Sequence, residues 1–205
     1  MKLHTSIGPN PRVVKMFLAE KGVELPAVTV DLMGGENRRA PYNAAVNPAG
    51  QTPALELDDG SCLTEITAIC EYLEERHPSP PLIGTTAEDR AKTRMWTRRV
   101  DLKICEPMAN GFRFAEGLQM FKERLRCLPE AAPGLKAMAR DGEEWMEGQF
   151  TGPWIAGDRF TLADILLFSF IDFGGAVGQP LDPAFVKLTD WFGRVKARPS
   201  AAASA

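Results

Sequence analysis

Residues 161–171, Thr-Leu-Ala-Asp-Ile-Leu-Leu-Phe-Ser-Phe-Ile, run a helix-start signal directly into an almost unbroken apolar stretch. The Thr161 hydroxyl can accept from the backbone N–H at Asp164, and the Asp164 carboxylate can reach back to the N–H at Thr161, which together make a capping box. The acid also suits the positive end of the helix. A helix apolar on every side must be buried. The segment therefore predicts the centre of an all-helical domain, with the Gly157-Asp158-Arg159-Phe160 turn presenting it to that core.

Around this helix, residues 87–114, 129–150 and 183–197 read as further helices, punctuated by Gly and Pro. The small residues at 200–205 are expected to fray. Upstream, residues 77–86 hold three prolines and no periodic pattern, the best domain boundary in the chain. Before it the order is strand 2–5, helix 11–22 stopped by Gly22, strand 27–31, an irregular segment with Arg38 and Arg39, strand 54–57, an Asp58-Asp59-Gly60 hairpin turn into 61–63, and helix 65–76. That βαβ, hairpin, α order predicts an α/β N-terminal domain of thioredoxin type over 1–78, followed by an all-α domain over 87–205.

Composition narrows the function classes. Hydrophobic residues at 44%, charged residues at 25% and a net charge of -3 are ordinary globular values. There is no Lys/Arg block, so neither nucleic acid nor an anionic membrane is the expected partner. The longest apolar run, 165–171, is far short of a bilayer span, and with no leader pattern at the start the expected location is cytoplasmic. Cys62, Cys70, Cys105 and Cys127 are irregularly spaced and read as free thiols. His4 and His77 lie at no ligand spacing from them, so no metal is expected.

Asn47-Pro48-Ala49-Gly50-Gln51-Thr52-Pro53, Leu63-Thr64-Glu65-Ile66-Thr67 with the helix after it, and Phe160-Thr161-Leu162-Ala163-Asp164, in this order, resemble the cytosolic glutathione transferase superfamily across essentially the whole chain. The resemblance implies a cis bond at Pro53, with the preceding residue pairing its backbone with the cysteinyl part of glutathione. It also implies a homodimer and a small electrophilic co-substrate. Gln51, Thr52, Pro53, Glu65, Ile66 and Thr67 are then the expected glutathione residues. The γ-glutamyl end carries an amino and a carboxylate group, which suits an acid beside the open N–H groups of a helix start. Ile66 departs from the family's usual Ser, with Thr67 one place along. Glu65 can also serve its helix electrostatically without any ligand. Arg38 or Arg39 is the candidate partner of the glycine carboxylate.

The thiol needs help, since at a pKa near 8.5 it is only a few per cent ionised at neutral pH. The family places Tyr, Ser or Cys between the first strand and helix. Here that loop is Thr5-Ser6-Ile7-Gly8-Pro9-Asn10-Pro11, and the usual serine position falls on Gly8. Ser6 and Asn10 are the two candidates to stabilise the sulfur. Asn10 also has the look of an ordinary N-cap before Pro11. No cysteine stands in the loop, which argues against dithiol redox chemistry. Cys62 and Cys70 read as small core residues.

The electrophile is expected between this loop and the first long helix of the second domain. Trp96, Arg99 and Phe112 are the leading candidates, with Lys103 and Phe114 behind them, because aromatic and basic groups can stack on and attract it. The expected activity is conjugation of glutathione to small hydrophobic electrophiles, or peroxide or disulfide reduction with it. The alternative that Gly8 keeps open is a non-catalytic binding module. A scaffold for protein assembly has no positive feature beyond the fold.

Overall fold

Strand β1 (Lys2–Thr5) is the spine of the first unit, because its neighbours on both sides take their register from it. It pairs in parallel with β2 (Ala27–Thr29), Leu3 opposite Ala27 and Thr5 opposite Thr29. On its other edge β3 (Ala54–Glu56) runs antiparallel, Leu3 opposite Leu55, and β4 (Cys62–Leu63) closes the sheet in the order β2-β1-β3-β4. The parallel β1–β2 pair requires a crossover, which α1 (Pro9–Lys21) supplies. The computed structural model describes residues 1–205, in two compact units: Met1–Pro80 with Ala202–Ala205, and Pro81–Ala201.

Helix α1 starts two residues before the expected position. Its N-cap is Gly8 at φ 114, with Pro9 and Pro11 in the first turn, so Asn10 lies inside the helix and is not the cap. Val13, Val14, Met16 and Phe17 are fully buried, and Gly22 in the left-handed region ends the helix as expected. Lys21, in the last turn, is buried and pairs with the equally buried Glu74 of α3 (Ile66–Arg76) while donating to the Pro80 carbonyl at 2.6 Å. Strand β2 ends at Thr29, short of the expected 31, and all its residues are exposed, as suits an edge. A turn at Glu36–Arg38 and a short α2 (Tyr42–Ala45) occupy the segment read as irregular.

The tail departs from expectation. Pro199–Ala203 forms α10, with Ser200, Ala201 and Ser204 buried rather than frayed. Its end belongs to the first unit, where Arg12 donates to the Ser204 hydroxyl at 3.5 Å.

In the second unit, residues 87–114 form one helical column in three parts: α4 (Ala87–Val100), a π-helical turn over Asp101–Cys105, and α5 (Glu106–Phe114). The wide turn sits just ahead of Pro107, which lacks an N–H and cannot continue an α-helical ladder. Gly142 of α7 (Ala132–Glu147) abuts this turn, and a Cβ there would fall within 2.3 Å of the Lys103 carbonyl oxygen. The short α6 (Leu118–Phe121) lies between α5 and α7. Helix α8 (Leu162–Ala176) is the core, every residue from Leu162 to Ile171 being buried. Its capping box is present, with Asp164 Oδ2 accepting the Thr161 N–H at 2.8 Å and the Thr161 hydroxyl at 3.0 Å. Helix α9 (Val186–Lys196) packs on it through Trp191 and Phe192.

Candidate functional site

The loop before β3 is held in place from beneath by groups far from obvious in the sequence. The Gln51 carbonyl accepts the Tyr42 hydroxyl at 2.6 Å and the Asn47 side-chain amide at 2.9 Å. Burial pushes the Tyr42 phenol up to about 12, followed in effect by Cys62 and Glu36, so Tyr42 stays a neutral donor. Asn37, itself buried, donates its amide to the Gly50 carbonyl at 2.5 Å. Gly50 has φ 61, and a Cβ there would lie 2.8 Å from the Asn37 carbonyl oxygen, so only glycine fits. Gln51 and Thr52 follow on this support, and the Thr52–Pro53 bond is cis.

Ser6, read as one of two thiol-stabilising candidates, is 8% exposed. Its Oγ lies 2.5 Å from Thr52 Oγ1 and 3.1 Å from the Ile7 carbonyl oxygen. The structure therefore joins Ser6 to the expected glutathione residues by a direct hydroxyl contact. Asn10 stands partly exposed as the second residue of α1. Because Pro9 and Pro11 carry no N–H, the start of this helix offers an anion fewer donors than an ordinary one. Gly8 contributes no side chain, and a Cβ built on it would touch nothing within 4 Å.

Glu65 is the single non-glycine residue with positive φ, at 67. That conformation costs a few kcal/mol at most, about 1 to 3, and such residues cluster at ligand sites. Its exposed carboxylate makes no hydrogen bond to its own helix, so the one local role left to it is the electrostatic one at the helix start. The first ladder bond of α3 runs from the Ile69 N–H to the Glu65 carbonyl at 3.0 Å, leaving the N–H groups of Ile66 and Thr67 at the open helix start. The Thr67 side chain is exposed.

The two adjacent arginines part company. Arg39 turns back on its own loop, donating to the Gly34 carbonyl at 2.5 Å and the Gly35 carbonyl at 3.4 Å. Arg38 lies along the 47–53 loop, reaching the Ala49 carbonyl at 3.5 Å, and its Cδ is 3.0 Å from a Cβ built on Gly50. Of the two, Arg38 is the one against the Ala49–Gly50 stretch that leads into Gln51 and Thr52. Burial raises the Cys62 and Cys70 thiols, so neither is a ready nucleophile. Cys70 is fully buried as expected, whereas Cys62 is only half-buried.

In the helical unit the electrophile candidates fall into separate clusters. Trp96, 9% exposed, faces Trp145 at 5.9 Å and carries the Arg99 guanidinium 5.0 Å from its ring, while Lys103 covers Trp145 at 4.9 Å. Phe112 belongs to another group, edge-on to Phe121 at 6.1 Å and to Phe173 at 5.1 Å. Arg113 and Arg124 both lie over Phe121. No cluster of His, Cys, Asp or Glu is arranged to hold a metal, and no helix is long and apolar enough to cross a membrane.

Comparison with known proteins agrees with this geometry. Residues 3–81 match the glutathione S-transferase N-terminal domain and residues 110–199 the glutathione S-transferase C-terminal domain. The chain is 30% identical over 203 residues to glutathione S-transferase 2 of Saccharomyces cerevisiae, covering 96% of this chain and 85% of that protein. It is 33% identical over 187 residues to maleylacetoacetate isomerase of Pseudomonas aeruginosa, covering 89% of this chain and 85% of the relative. Among solved structures it is similar to Gtt2 from Saccharomyces cerevisiae, with a TM-score of 0.92, 28% identity and all of both chains covered.

Proposed function

Since the chain belongs to the glutathione S-transferase family, we propose that its Gln51–Pro53 loop and the start of α3 bind glutathione and that the bound thiol is the nucleophile of a transferase reaction. The observation that carries this is Glu65, held at positive φ with its carboxylate exposed and uncommitted at a helix start. An acid there meets the α-amino group of the γ-glutamyl end, and the N–H groups of Ile66 and Thr67 meet its α-carboxylate. Thr52, before the cis proline, offers its backbone to the cysteinyl part, with Gln51 and Pro53 shaping that edge. Arg38 reaches the glycine carboxylate. Ser6 and Asn10 are the loop side chains nearest the task of holding a thiolate, and Ser6 has the stronger support because it touches Thr52.

Trp96 with Arg99, and Phe112, are proposed as electrophile contacts in the helical unit. The wider reading is a homodimeric, cytoplasmic, detoxifying enzyme that needs no metal. The test is turnover with glutathione and 1-chloro-2,4-dinitrobenzene, a peroxide and a mixed disulfide. Conjugation or reduction that scales with bound glutathione supports the reading. Tight glutathione binding with no turnover on any of the three would leave a binding module.

A further inference from the structure

Resting on the glutathione site just proposed, we infer that Thr52 is the catalytic donor to the glutathione sulfur and that Ser6 acts through it as a positioning residue. Ser6 Oγ is 2.5 Å from Thr52 Oγ1 and 3.1 Å from the Ile7 carbonyl oxygen. Each hydroxyl owns one proton. If Ser6 donates to Ile7, Thr52 must donate to Ser6 and has nothing left for a ligand. If Ser6 donates to Thr52, the Thr52 proton is free to point outward.

The two residues differ in access. Ser6 is 8% exposed, so its proton is used inside the protein, whereas Thr52 is partly exposed and can turn its proton to a ligand. A thiolate accepts a hydrogen bond more strongly than the Ile7 carbonyl does, and so selects the second arrangement. In that arrangement the Ser6 bond polarises the Thr52 O–H and strengthens what it gives. Of the neighbouring groups, Gly8 has no side chain and Pro9 and Pro11 have no N–H, which leaves the Asn10 amide as the one other side-chain donor after Ser6 in the loop. The chain thus places a two-hydroxyl relay, from residues 46 apart in sequence, where a single loop side chain would otherwise be needed.

The experiment is ultraviolet titration of the thiolate of glutathione bound to the wild type, Thr52→Val, Thr52→Ala, Thr52→Ser, Ser6→Ala and the Ser6→Ala/Thr52→Val pair, with calorimetric affinity and kcat/KM on each. Thr52→Val and Thr52→Ala are expected to raise the bound thiol's pKa by about 1 or more and to cut kcat/KM by about a hundredfold, as for loss of one donor to a developing anion. Thr52→Ser should keep both near wild type. Ser6→Ala should shift the pKa less, and not at all once Thr52 is already Val. An unmoved pKa in both Thr52 truncations, or an equal Ser6→Ala shift with and without the Thr52 hydroxyl, overturns the relay. Failure of the wild type to bind glutathione would instead overturn the site itself, which keeps the two results distinct.

Discussion

Asp164 Oδ1 accepts the Trp191 indole N–H at 2.8 Å, tying the first turn of α8 to α9 at the centre of the helical unit. The same carboxylate takes the backbone N–H of Ile155 at 3.0 Å and of Thr161 at 2.8 Å. It is an assembly point for the turn, the core helix and its neighbour. Its burial raises the carboxyl's pKa even against these donors.

Asp164→Ala leaves buried donors without an acceptor, each worth about 1 to 3 kcal/mol, and is expected to destabilise the protein by about 3 to 5 kcal/mol in all. Glutathione affinity of the folded fraction should hold. Normal denaturant stability with a loss of turnover would assign Asp164 to the chemistry instead.

The Lys21–Glu74 pair is buried on both sides. Removing one partner leaves the other's buried charge without its opposite charge in this pair, so Lys21→Met or Glu74→Leu alone should cost about 3 to 5 kcal/mol. The double variant should recover most of it. Additive losses in the double variant, measured by urea unfolding, would show that the pair is not the unit that matters.

Gly142→Ala tests the close approach of α7 to the π-helical turn. The new methyl would meet the Lys103 carbonyl oxygen at 2.3 Å, so backbone must move. A loss of about 1 to 3 kcal/mol is expected, the range for overpacking. Gly134→Ala on the same helix, where nothing lies within 4 Å of a Cβ, should be neutral or slightly stabilising.

Glu143 is buried in α7, and burial raises its carboxyl from 4.5 to about 7, with Asp182 adding to the rise and Arg140 opposing it. A carboxyl whose folded pKa is raised binds its proton more tightly in the fold. Its contribution is therefore most favourable below about 4.5 and declines as pH climbs through about 7. Glu143→Gln should be more stable than wild type at pH 8 by about 1 to 3 kcal/mol and equal near pH 4.5. A constant difference across that range would contradict the assignment.

The core helix was legible because its signal is local: Thr161 and Asp164 are one turn apart, and the apolar run admits one environment. The element order of the α/β half follows from alternation and turns for the same reason, whereas the sheet order rests on pairings such as Leu3 with Leu55 that lie far apart in the chain. What escaped depends on distant residues. Ser200–Ala203 looks featureless, yet Ser200 and Ala201 pack, and the end of the chain meets Arg12. Asn10 before a proline imitates a cap, but Pro9 already fits the first helical position and moves the cap to Gly8. Arg38 and Arg39 are equivalent in sequence until Gly50 brings its loop against one of them. Tyr42, Asn37 and Asn47 were missed as supports because a carbonyl partner leaves no mark in the sequence.

The central claim, a glutathione site centred on Glu65 and Thr52, is tested most directly by calorimetric titration of glutathione into the wild type and Glu65→Ala. The wild type should bind, and a folded Glu65→Ala should bind more weakly by about 2 to 4 kcal/mol, the loss for removing one partner of a desolvated charged pair. Equal affinity in the two folded proteins would contradict it.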